Sequence, residues 1–364
     1  MKMCLLFKGV KNEVIACSSI KYNLRSPQSI FRGLQKKEHN SGELCVHVDS
    51  EKIKPAVKVQ NVVGVNERAN DVLYCPPFNS GNHLVDNGIV VFFGGDMQDF
   101  QENMNAKEKT KGFVNWSLEN MSKILSMHYK NCHILIVRPI SIEDGIFSSY
   151  SNFVPSLEYG VPKFTPNHDS ILHLNKLIKN TQNIMENMNS LDIRTRIEHT
   201  CKLLNLGHCC LPPESEYRKK FSECYLELVG FSKGCVVLNQ FLHEFHYFKK
   251  NSQVEGAEES NELTRKIRTM RWMDGGHNGR EGTWITSGEI LSSYAELGKQ
   301  TYVHVTPYQV CCKKRPWIGK EEAIFTSSLI KKKVDIKRKL HFEHSVGNLD
   351  DHFKLLLDVF KEIT

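Results

Sequence analysis

The alternation of short apolar runs with amphipathic stretches from residue 89 onward is the feature of this sequence that most restricts its fold. Six apolar runs have the length of strands: 89–93, 133–137, 225–229, 267–272, 301–305 and 334–342. Apolar residues recur at helical spacing in the stretches between and after these runs, near 113–129, 191–205, 234–249, 287–298 and 320–332 and from residue 351 onward. Strands that alternate with helices pair in parallel and bury both faces of their sheet. The sequence therefore predicts an α/β protein with a mostly parallel central sheet and helices on both faces.

The segments outside this alternation complete the predicted architecture. Three earlier runs predict the strands of an antiparallel edge: 43–48, 56–65 and 71–75. Residues 139–190 are too long for a simple connection, and we expect a lid-like insertion there, after the second parallel strand. The acidic stretch 253–262 is expected to be an exposed loop. Residues 38–364 are therefore predicted to form a single domain that includes this insertion.

The first 37 residues differ in charge from the rest of the chain. Residues 1–37 contain eight Lys and Arg against one acid, Glu13, whereas the remainder carries 40 basic and 40 acidic residues. Serines interspersed among the basic residues are typical of a mitochondrial transit peptide. A disordered N-terminal tail has the same composition, so 1–37 is predicted to be one or the other.

Charge and hydropathy also exclude some function classes. Recognition of nucleic-acid phosphates needs a positively charged surface. The net charge of +7 comes entirely from the first 37 residues, so we expect no nucleic-acid binding. The basic run 331–339 is interpreted as a solvated helix end and strand edge. No apolar run approaches the roughly 20 residues of a membrane helix, so no transmembrane segment is predicted.

The cysteines and histidines do not have the spacing of a metal site. None of the twelve cysteines forms a Cys-x-x-Cys, and the pattern "HEFH" at 243–246 misses the spacing of zinc proteases. Reduced, mostly buried thiols are the interpretation that this pattern favours. We therefore predict no metal and no cofactor.

The stretch "LVGFSKGCVVLNQ" contains a Gly-x-Ser-x-Gly between a strand-like run and a helix-like one. In a nucleophile elbow, the serine ends a buried parallel strand and opens a helix through a strained turn that only small neighbours tolerate. Gly230 and Gly234 meet that need. Ser232 is therefore the predicted nucleophile, although five letters of this kind also arise by chance.

An acyl-transfer site also needs backbone donors for the oxyanion, one after the nucleophile and one after an earlier strand. Lys233 would supply the first donor. In "FFGGD", at 92–96, glycines follow a buried strand, so Gly95 and Asp96 are the candidates for the second. A plain strand-ending turn accounts for those residues equally well.

A serine nucleophile needs a general base, which follows the acid and the last strand in hydrolases with this elbow. His341, His344 and His352 lie in that part of the chain, and His352 is preferred because it precedes the closing helix. The usual place for the acid, after "TYVHV", holds no carboxylate before Glu321. Asp274, after the preceding strand, is therefore the predicted acid, although an aspartate before two glycines is also typical of a turn.

Several phrases of the sequence resemble one family. "FFGGDMQDF", "YSNFVPS", "LVGFSKGCVVLNQ", "MDGGHNG", "HVTPYQV" and "WIGKE" are similar to phrases of the mitochondrial family typified by the human chromosome 2 open reading frame sixty-nine product. The similarity covers most of residues 70–364. It implies an α/β-hydrolase-like fold and a mitochondrial location, with the matrix favoured, and it assigns no reaction.

Two functions follow from these patterns. The first is a mitochondrial serine hydrolase that acts on an ester, a thioester or another lipid-like acyl substrate, with Ser232, Asp274 and His352 as its triad. The alternative is a hydrolase fold without catalytic activity that serves as a scaffold for a mitochondrial protein partner. The missing carboxylate after "TYVHV" and the bulky, charged Lys233 beside the serine favour that alternative.

Overall fold

The computed structural model describes residues 54–77, 87–206, 214–218, 220–221 and 224–361. The predicted leader 1–37 and the strand predicted at 43–48 lie outside the described residues. The strands are β1 Val57–Val63, β2 Ala69–Cys75, β3 Gly88–Phe93, β4 Cys132–Val137, β5 Ser141–Glu143, β6 Phe147–Ser149, β7 Tyr225–Phe231, β8 Ile267–Met273, β9 Gln300–Val305 and β10 Ile336–Leu340. The α-helices are α1 Gln101–Asn105, α2 Leu118–His128, α3 Ser170–Asn187, α4 Ser190–Leu203, α5 Glu214–Tyr217, α6 Cys235–Lys250, α7 Ala257–Lys266, α8 Gly288–Ala295, α9 Pro307–Val310, α10 Pro316–Lys331 and α11 Leu349–Lys361.

Eight of these strands form one central sheet in the order β1-β2-β4-β3-β7-β8-β9-β10. Strand β2 pairs antiparallel with both β1 and β4, and every other pairing in the sheet is parallel. β5 and β6 form a separate hairpin. This strand order, with one reversed strand near the edge, is that of the α/β-hydrolase fold. The predicted fold class is therefore confirmed.

Burial on both faces explains why the central strands are continuously apolar. All six residues of β3, "GIVVFF", are buried. Ile89, Val91 and Phe93 pack in a cluster with residues of α3 and α6, whereas Val90 and Phe92 pack in a second cluster with residues of α2 and α11. Successive side chains of a strand point to opposite faces, so one run supplies both layers of the core.

The insertion predicted at 139–190 contains two structurally different parts. Its first part holds the β5–β6 hairpin and a short 3-10 turn at Glu158–Gly160. Its second part is α3, whose residues Ile171, Leu174 and Leu177 are buried in the cluster that covers β1. A helix that forms part of the core does not act as a lid, so the lid-like role stays a prediction for the residues before α3.

The acidic stretch predicted as a loop at 253–262 is wrong in its second half, where α7 begins at Ala257. Ala257, Ser260, Leu263 and Thr264 are buried at helical spacing, so one face of α7 packs on the body. Glu258 and Glu259 lie in the first turn, where carboxylates interact favourably with the helix dipole. The acidic composition therefore marks a helix start.

The last strand is shorter than the predicted run 334–342 and forms an edge of the sheet. β10 covers Ile336–Leu340, and its middle residues Lys337, Arg338 and Lys339 are exposed. Charged residues on an edge strand discourage pairing with another sheet. None of the helices in the described parts of the chain has the length and hydrophobicity to cross a membrane.

Candidate functional site

Ser232 lies at the sharp turn between β7 and α6. Its φ of 52° is in the left-handed region, which residues other than glycine rarely adopt. A Cβ added at Gly234 would lie 2.0 Å from the carbonyl oxygen of Phe93, and one at Gly230 would lie 2.9 Å from Cys235 Cα. Gly234 thus needs to be glycine because the turn packs directly on the end of β3, and Gly230 because the chain folds back on itself at Cys235. Ser232 itself is 6% exposed.

Asp274 follows β8 at the same edge of the sheet and hydrogen-bonds to His352. His352 Nδ1 lies 2.6 Å from Asp274 Oδ2. Thr306 completes the surroundings of the carboxylate: its N–H donates to Oδ1 at 2.8 Å and its hydroxyl donates to Oδ2 at 2.7 Å. Asp274 is fully buried, and donors on both oxygens compensate for the loss of water. The carboxylate is therefore held as an acceptor for the imidazole.

Aromatic rings fix the plane of the His352 imidazole. The ring of Phe231, the residue before Ser232, stacks on it with centroids 4.6 Å apart, and the Tyr308 ring lies at 4.9 Å. Among the described residues, the only side-chain hydrogen bond of His352 is the one from Nδ1, so Nε2 is not joined to the Ser232 hydroxyl. Long or missing contacts of this kind are common in hydrolases before substrate binds.

The other two candidate bases have different surroundings. His341 is buried and hydrogen-bonds to Asp358 at 2.6 Å and to His304 at 2.9 Å. The side chain of His344 is 96% exposed and lies beside Glu343. Both line a cleft of about 370 Å³ that contains none of the three predicted triad residues. Of the three histidines, only His352 contacts Asp274.

The predicted oxyanion donors lie beside the elbow. A Cβ added at Gly95 would lie 2.7 Å from Ser232 Cβ, so the backbone after β3 closely approaches the serine. The Gly95 N–H, however, donates to Gln98 Oε1 at 2.8 Å, so it would have to leave that partner before it could bind an oxyanion. The Asp96 side chain accepts from the N–H of Ser148 at 2.8 Å. The oxyanion roles of Gly95, Asp96 and Lys233 remain predictions.

The Lys233 side chain is fully buried and connects the elbow to the insertion. Its ammonium donates to the carbonyl oxygens of Tyr159 and Gly160 at 2.9 and 3.3 Å and lies 3.9 Å from Asp96 Oδ1. Burial lowers the pKa of Lys233, and the Asp96 carboxylate opposes this shift. Burial also raises the pKa of Asp96, which Lys233 opposes in turn. The bulk of Lys233 is thus accommodated away from the serine.

Two residues of this site were missed by sequence reasoning. Thr306 directly follows β9, the place where a carboxylate was sought and not found, and it hydrogen-bonds to Asp274 from there. Tyr308, in α9, packs on His352. The available signal is one of position: both residues lie at the carboxyl end of a parallel strand, where sites of this fold class are found, but neither residue type is distinctive there.

The histidines and glutamate of "HEFH" are engaged in packing and hydrogen bonds. His243 stacks on Phe164, Glu244 accepts from backbone amides at the start of α3, and His246 hydrogen-bonds to the Ser293 hydroxyl. The described residues include no group of three or more His, Cys, Asp or Glu that could hold a metal ion.

Solved structures similar to this chain include esterases. A thermostable esterase matches 85% of this chain and 61% of its own, with 8% identity and a TM-score of 0.41. Brefeldin A esterase, described as a bacterial homologue of human hormone sensitive lipase, matches 92% of this chain and 80% of its own, with 12% identity and a TM-score of 0.37. TM-scores this low do not establish a fold, which here follows from the order and directions of the strands.

Similarity in sequence is more extensive. Mitochondrial protein C2orf69 of Homo sapiens is 33% identical over 285 residues, which are 73% of this chain and 72% of that protein. The homologue of Danio rerio is 31% identical over 371 residues, 97% of this chain and 96% of that protein. The C2orf69 family model matches residues 58–335, a segment that includes Ser232 and Asp274 and ends before His352. The chain therefore belongs to the C2orf69 family.

Proposed function

We propose that this protein is a mitochondrial serine hydrolase that cleaves an ester, a thioester or another lipid-like acyl bond. The observation that carries the proposal is the strained turn at Ser232, with φ of 52°, beside a buried Asp274–His352 pair. Backbone strain of this kind costs free energy and tends to persist at functional sites. A serine in an ordinary turn would not need a left-handed conformation between two glycines that tolerate no side chain.

The histidine is set up to act as a base. An ionised carboxylate only accepts hydrogen bonds, so the 2.6 Å contact to Asp274 places the proton of neutral His352 on Nδ1. Nε2 then carries the lone pair that removes the proton of Ser232 as its Oγ attacks the acyl carbonyl. The protonated imidazole returns that proton to the leaving alcohol or thiol. A water molecule, deprotonated by the same imidazole, then attacks the acyl-serine ester, which releases the acid and restores the serine.

The oxyanion formed in this attack is assigned to backbone N–H groups of Lys233 and Asp96. Among the described residues, the Asp96 N–H has no hydrogen-bond acceptor, which leaves it available to the substrate. Gly95 brings this segment against Ser232, as its close contact with Ser232 Cβ indicates. The proposed reaction needs no cofactor.

The mitochondrial location rests on the relatives and on composition. The relatives in Homo sapiens, Mus musculus and Danio rerio are all named mitochondrial proteins. The basic, serine-containing segment 1–37 fits a transit peptide, for which the matrix is the expected destination. We assign this segment the role of a leader and residues 38–364 that of the hydrolase domain.

Labelling with a fluorescent fluorophosphonate tests the proposal, because the reagent reacts with activated serines. We expect the protein to be labelled and Ser232→Ala to lose the label. Ser327→Ala, a change at an exposed serine of α10, is the control and should label like the unchanged chain. Absence of labelling, or a label that persists in Ser232→Ala, would contradict the proposal and favour the scaffold alternative.

A further inference from the structure

We propose that the site takes acyl substrates that carry an anionic oxygen group, a carboxylate or a phosphate, and that Arg315 binds this group. The inference rests on the proposed function and adds a substrate class to it. Arg315 lies between α9 and α10, immediately after the exposed Lys313 and Lys314. The segment follows Thr306 in the chain, and Thr306 hydrogen-bonds to Asp274, the predicted acid of the triad.

Ring contacts place Arg315 close to the predicted base. Its guanidinium carbon lies 5.6 Å from the centroid of the Tyr308 ring. The Tyr308 ring in turn lies 4.9 Å, centroid to centroid, from the imidazole of His352. One aromatic ring therefore separates the guanidinium from the base, a separation that a substrate of a few heavy atoms spans.

No described carboxylate neutralises this cation. Arg315 forms no salt bridge within the described residues, whereas Arg68, Arg138, Arg271 and Arg338 each do. Burial raises the pKa of Asp96, and Arg315 is among the cations that oppose this rise, but the Asp96 carboxylate itself already contacts Lys233 and Ser148. Arg315 is also only half-buried, so solvent and ligand can reach it. The guanidinium hydrogen-bonds to the Cys312 thiol, and its other N–H donors meet no described carboxylate within salt-bridge distance.

A second, independent feature points to a polar ligand beside Ser232. Gln309, beside Tyr308 in α9, is 3% exposed, and its Oε1 has no hydrogen-bond partner among the described residues. Its carboxamide lies against Gly276, since a Cβ added there would be 2.2 Å from Gln309 Nε2. The Gly276 N–H donates to the carbonyl oxygen of Ser232 at 3.3 Å. A buried amide oxygen without a partner calls for a hydrogen-bond donor, which an uncharged polar part of the substrate would supply.

The chemistry of these side chains selects an oxyanionic group. The planar guanidinium binds carboxylate and phosphate through two parallel N–H donors. Gln309 can add a donor and an acceptor to polar atoms next to the scissile carbonyl. The apolar rings of Tyr308 and Phe231 beside them suit the carbon chain that joins the two polar ends.

Binding measured without turnover tests the inference separately from catalysis. In the Ser232→Ala background, three fluorescent probes with the same medium-length alkyl chain are compared by anisotropy: a carboxylate, a phosphate monoester and a carboxylic methyl ester. We expect at least one anionic probe to bind about tenfold or more tightly than the ester, as one charge-assisted pair allows. The preferred anion identifies which of the two groups the site takes.

Arg315→Ala should reduce the ratio of the Kd of the ester to the Kd of the anionic probe to about one. Arg315→Lys keeps the charge but loses the planar pair of donors, so it should reduce this ratio in part. Arg265→Ala, which removes an exposed arginine of α7, is the control and should leave it unchanged. Equal binding of all three probes, no binding of any, or a preference that survives in both Arg315 variants would overturn the inference. Fluorophosphonate labelling of the unchanged chain reports the proposed hydrolase activity independently of these outcomes.

Discussion

Ser232 and Asp274 are held in left-handed backbone conformations, with φ of 52° and 49°, that residues other than glycine rarely adopt. Each such residue costs on the order of 1–3 kcal/mol, and it persists because the surroundings leave no alternative. The surroundings here are the contact of Gly234 with β3 and the donation of the Asp274 N–H to the carbonyl of His304 at 2.7 Å. The strain is therefore maintained by the sheet.

Gly234→Ala tests whether close packing imposes this turn. The new methyl group would lie 2.0 Å from the Phe93 carbonyl oxygen, so either β3 or the turn has to move. We expect the free energy of unfolding, measured with urea, to fall by about 2–4 kcal/mol. Gly288→Ala is the matched control, because a Cβ there meets no atom within 4 Å, and it should change the value by no more than about 1 kcal/mol. Equal effects of both substitutions would show that the turn is not tightly packed.

Asp274→Asn tests the proposed role of the carboxylate. An amide can present its NH₂ to Nδ1 of His352, which moves the imidazole proton to Nε2 and removes the base. We expect the rate of fluorophosphonate labelling to fall by about 10⁴-fold, the size found for such a change in other triads. Asp358→Asn makes the same change in the Asp358–His341 pair and should have little effect on the rate. Comparable rates for the two variants would contradict the assignment.

Sequence reasoning reached some residues of the site and missed others for a physical reason. Gly230, Ser232 and Gly234 are recognisable because a strained turn restricts residue types at fixed spacing. The contact between Asp274 and His352 joins residues 78 positions apart, and only chain order suggested it. Thr306 carries no signal of its own, since threonine after a strand is ordinary. The engagement of the Gly95 amide by Gln98 depends on side-chain orientation, which spacing does not specify.

At the scale of elements, α3 depends on α6 for its start. Its N-cap, Asp169, makes no side-chain capping bond, and Glu244 of α6 replaces it. The buried Glu244 carboxylate accepts from the N–H groups of His168, Ser170 and Ile171, each at 2.9 Å. Helix starts leave such donors unpaired and favour negative charge. One side chain thus couples the helix after the elbow to the helix that ends the insertion.

Glu244→Ala should therefore be strongly destabilising. It leaves three backbone donors without an acceptor, two of them buried and that of His168 partly buried, for which we expect a loss on the order of 3 kcal/mol in the free energy of unfolding. Glu244→Gln keeps one acceptor oxygen and should lose less. Glu259→Ala, at an exposed glutamate in the first turn of α7, should cost no more than about 0.5 kcal/mol. A small loss in Glu244→Ala would mean that α3 starts without this cap.

Most elements could be predicted from periodicity, and the exceptions have a common cause. The buried strands β3 and β4 are unambiguous because both of their faces are covered. The start of α7 was predicted as loop because its buried residues within 253–262 are Ala257 and Ser260, which give little hydrophobic signal. β10 ends earlier than its sequence suggests because an edge strand has one pairing partner to set its length.

For the molecule as a whole, buried neutral histidines connect the fold to pH. Burial lowers the pKa of His173 to about 3, of His277 to about 4 and of His304 to about 2. In the case of His173, Nδ1 accepts from the Val65 N–H at 3.2 Å and Nε2 contacts Asn70 Oδ1 at 2.9 Å, an arrangement that requires the neutral ring. The unfolded chain protonates these side chains near pH 6.5 and the folded chain does not.

Stability should therefore fall as the pH drops below about 6.5, because the unfolded state then binds more protons than the folded state. Each such histidine contributes a slope of up to about 1.4 kcal/mol per pH unit until its folded pKa is reached. Urea unfolding at pH 7, 6 and 5 measures this slope. His173→Gln should reduce it by the contribution of one histidine, up to about 1.4 kcal/mol per pH unit. His344→Gln, at a side chain that is 96% exposed, should leave the slope unchanged. An unchanged slope in His173→Gln would refute the assignment.

The placement of His352 on α11 has a consequence for biosynthesis. Ribosomes synthesise a polypeptide from its N-terminus, so Ser232 and Asp274 emerge before the segment that carries the imidazole, which lies 78 residues beyond Asp274. A nascent chain can complete most of the sheet, yet its hydroxyl lacks a proton acceptor until α11 packs beside Phe231. Reactivity of the proposed hydrolase would then begin only once α11 has been synthesised and has packed, so a partly made chain would leave acyl compounds intact.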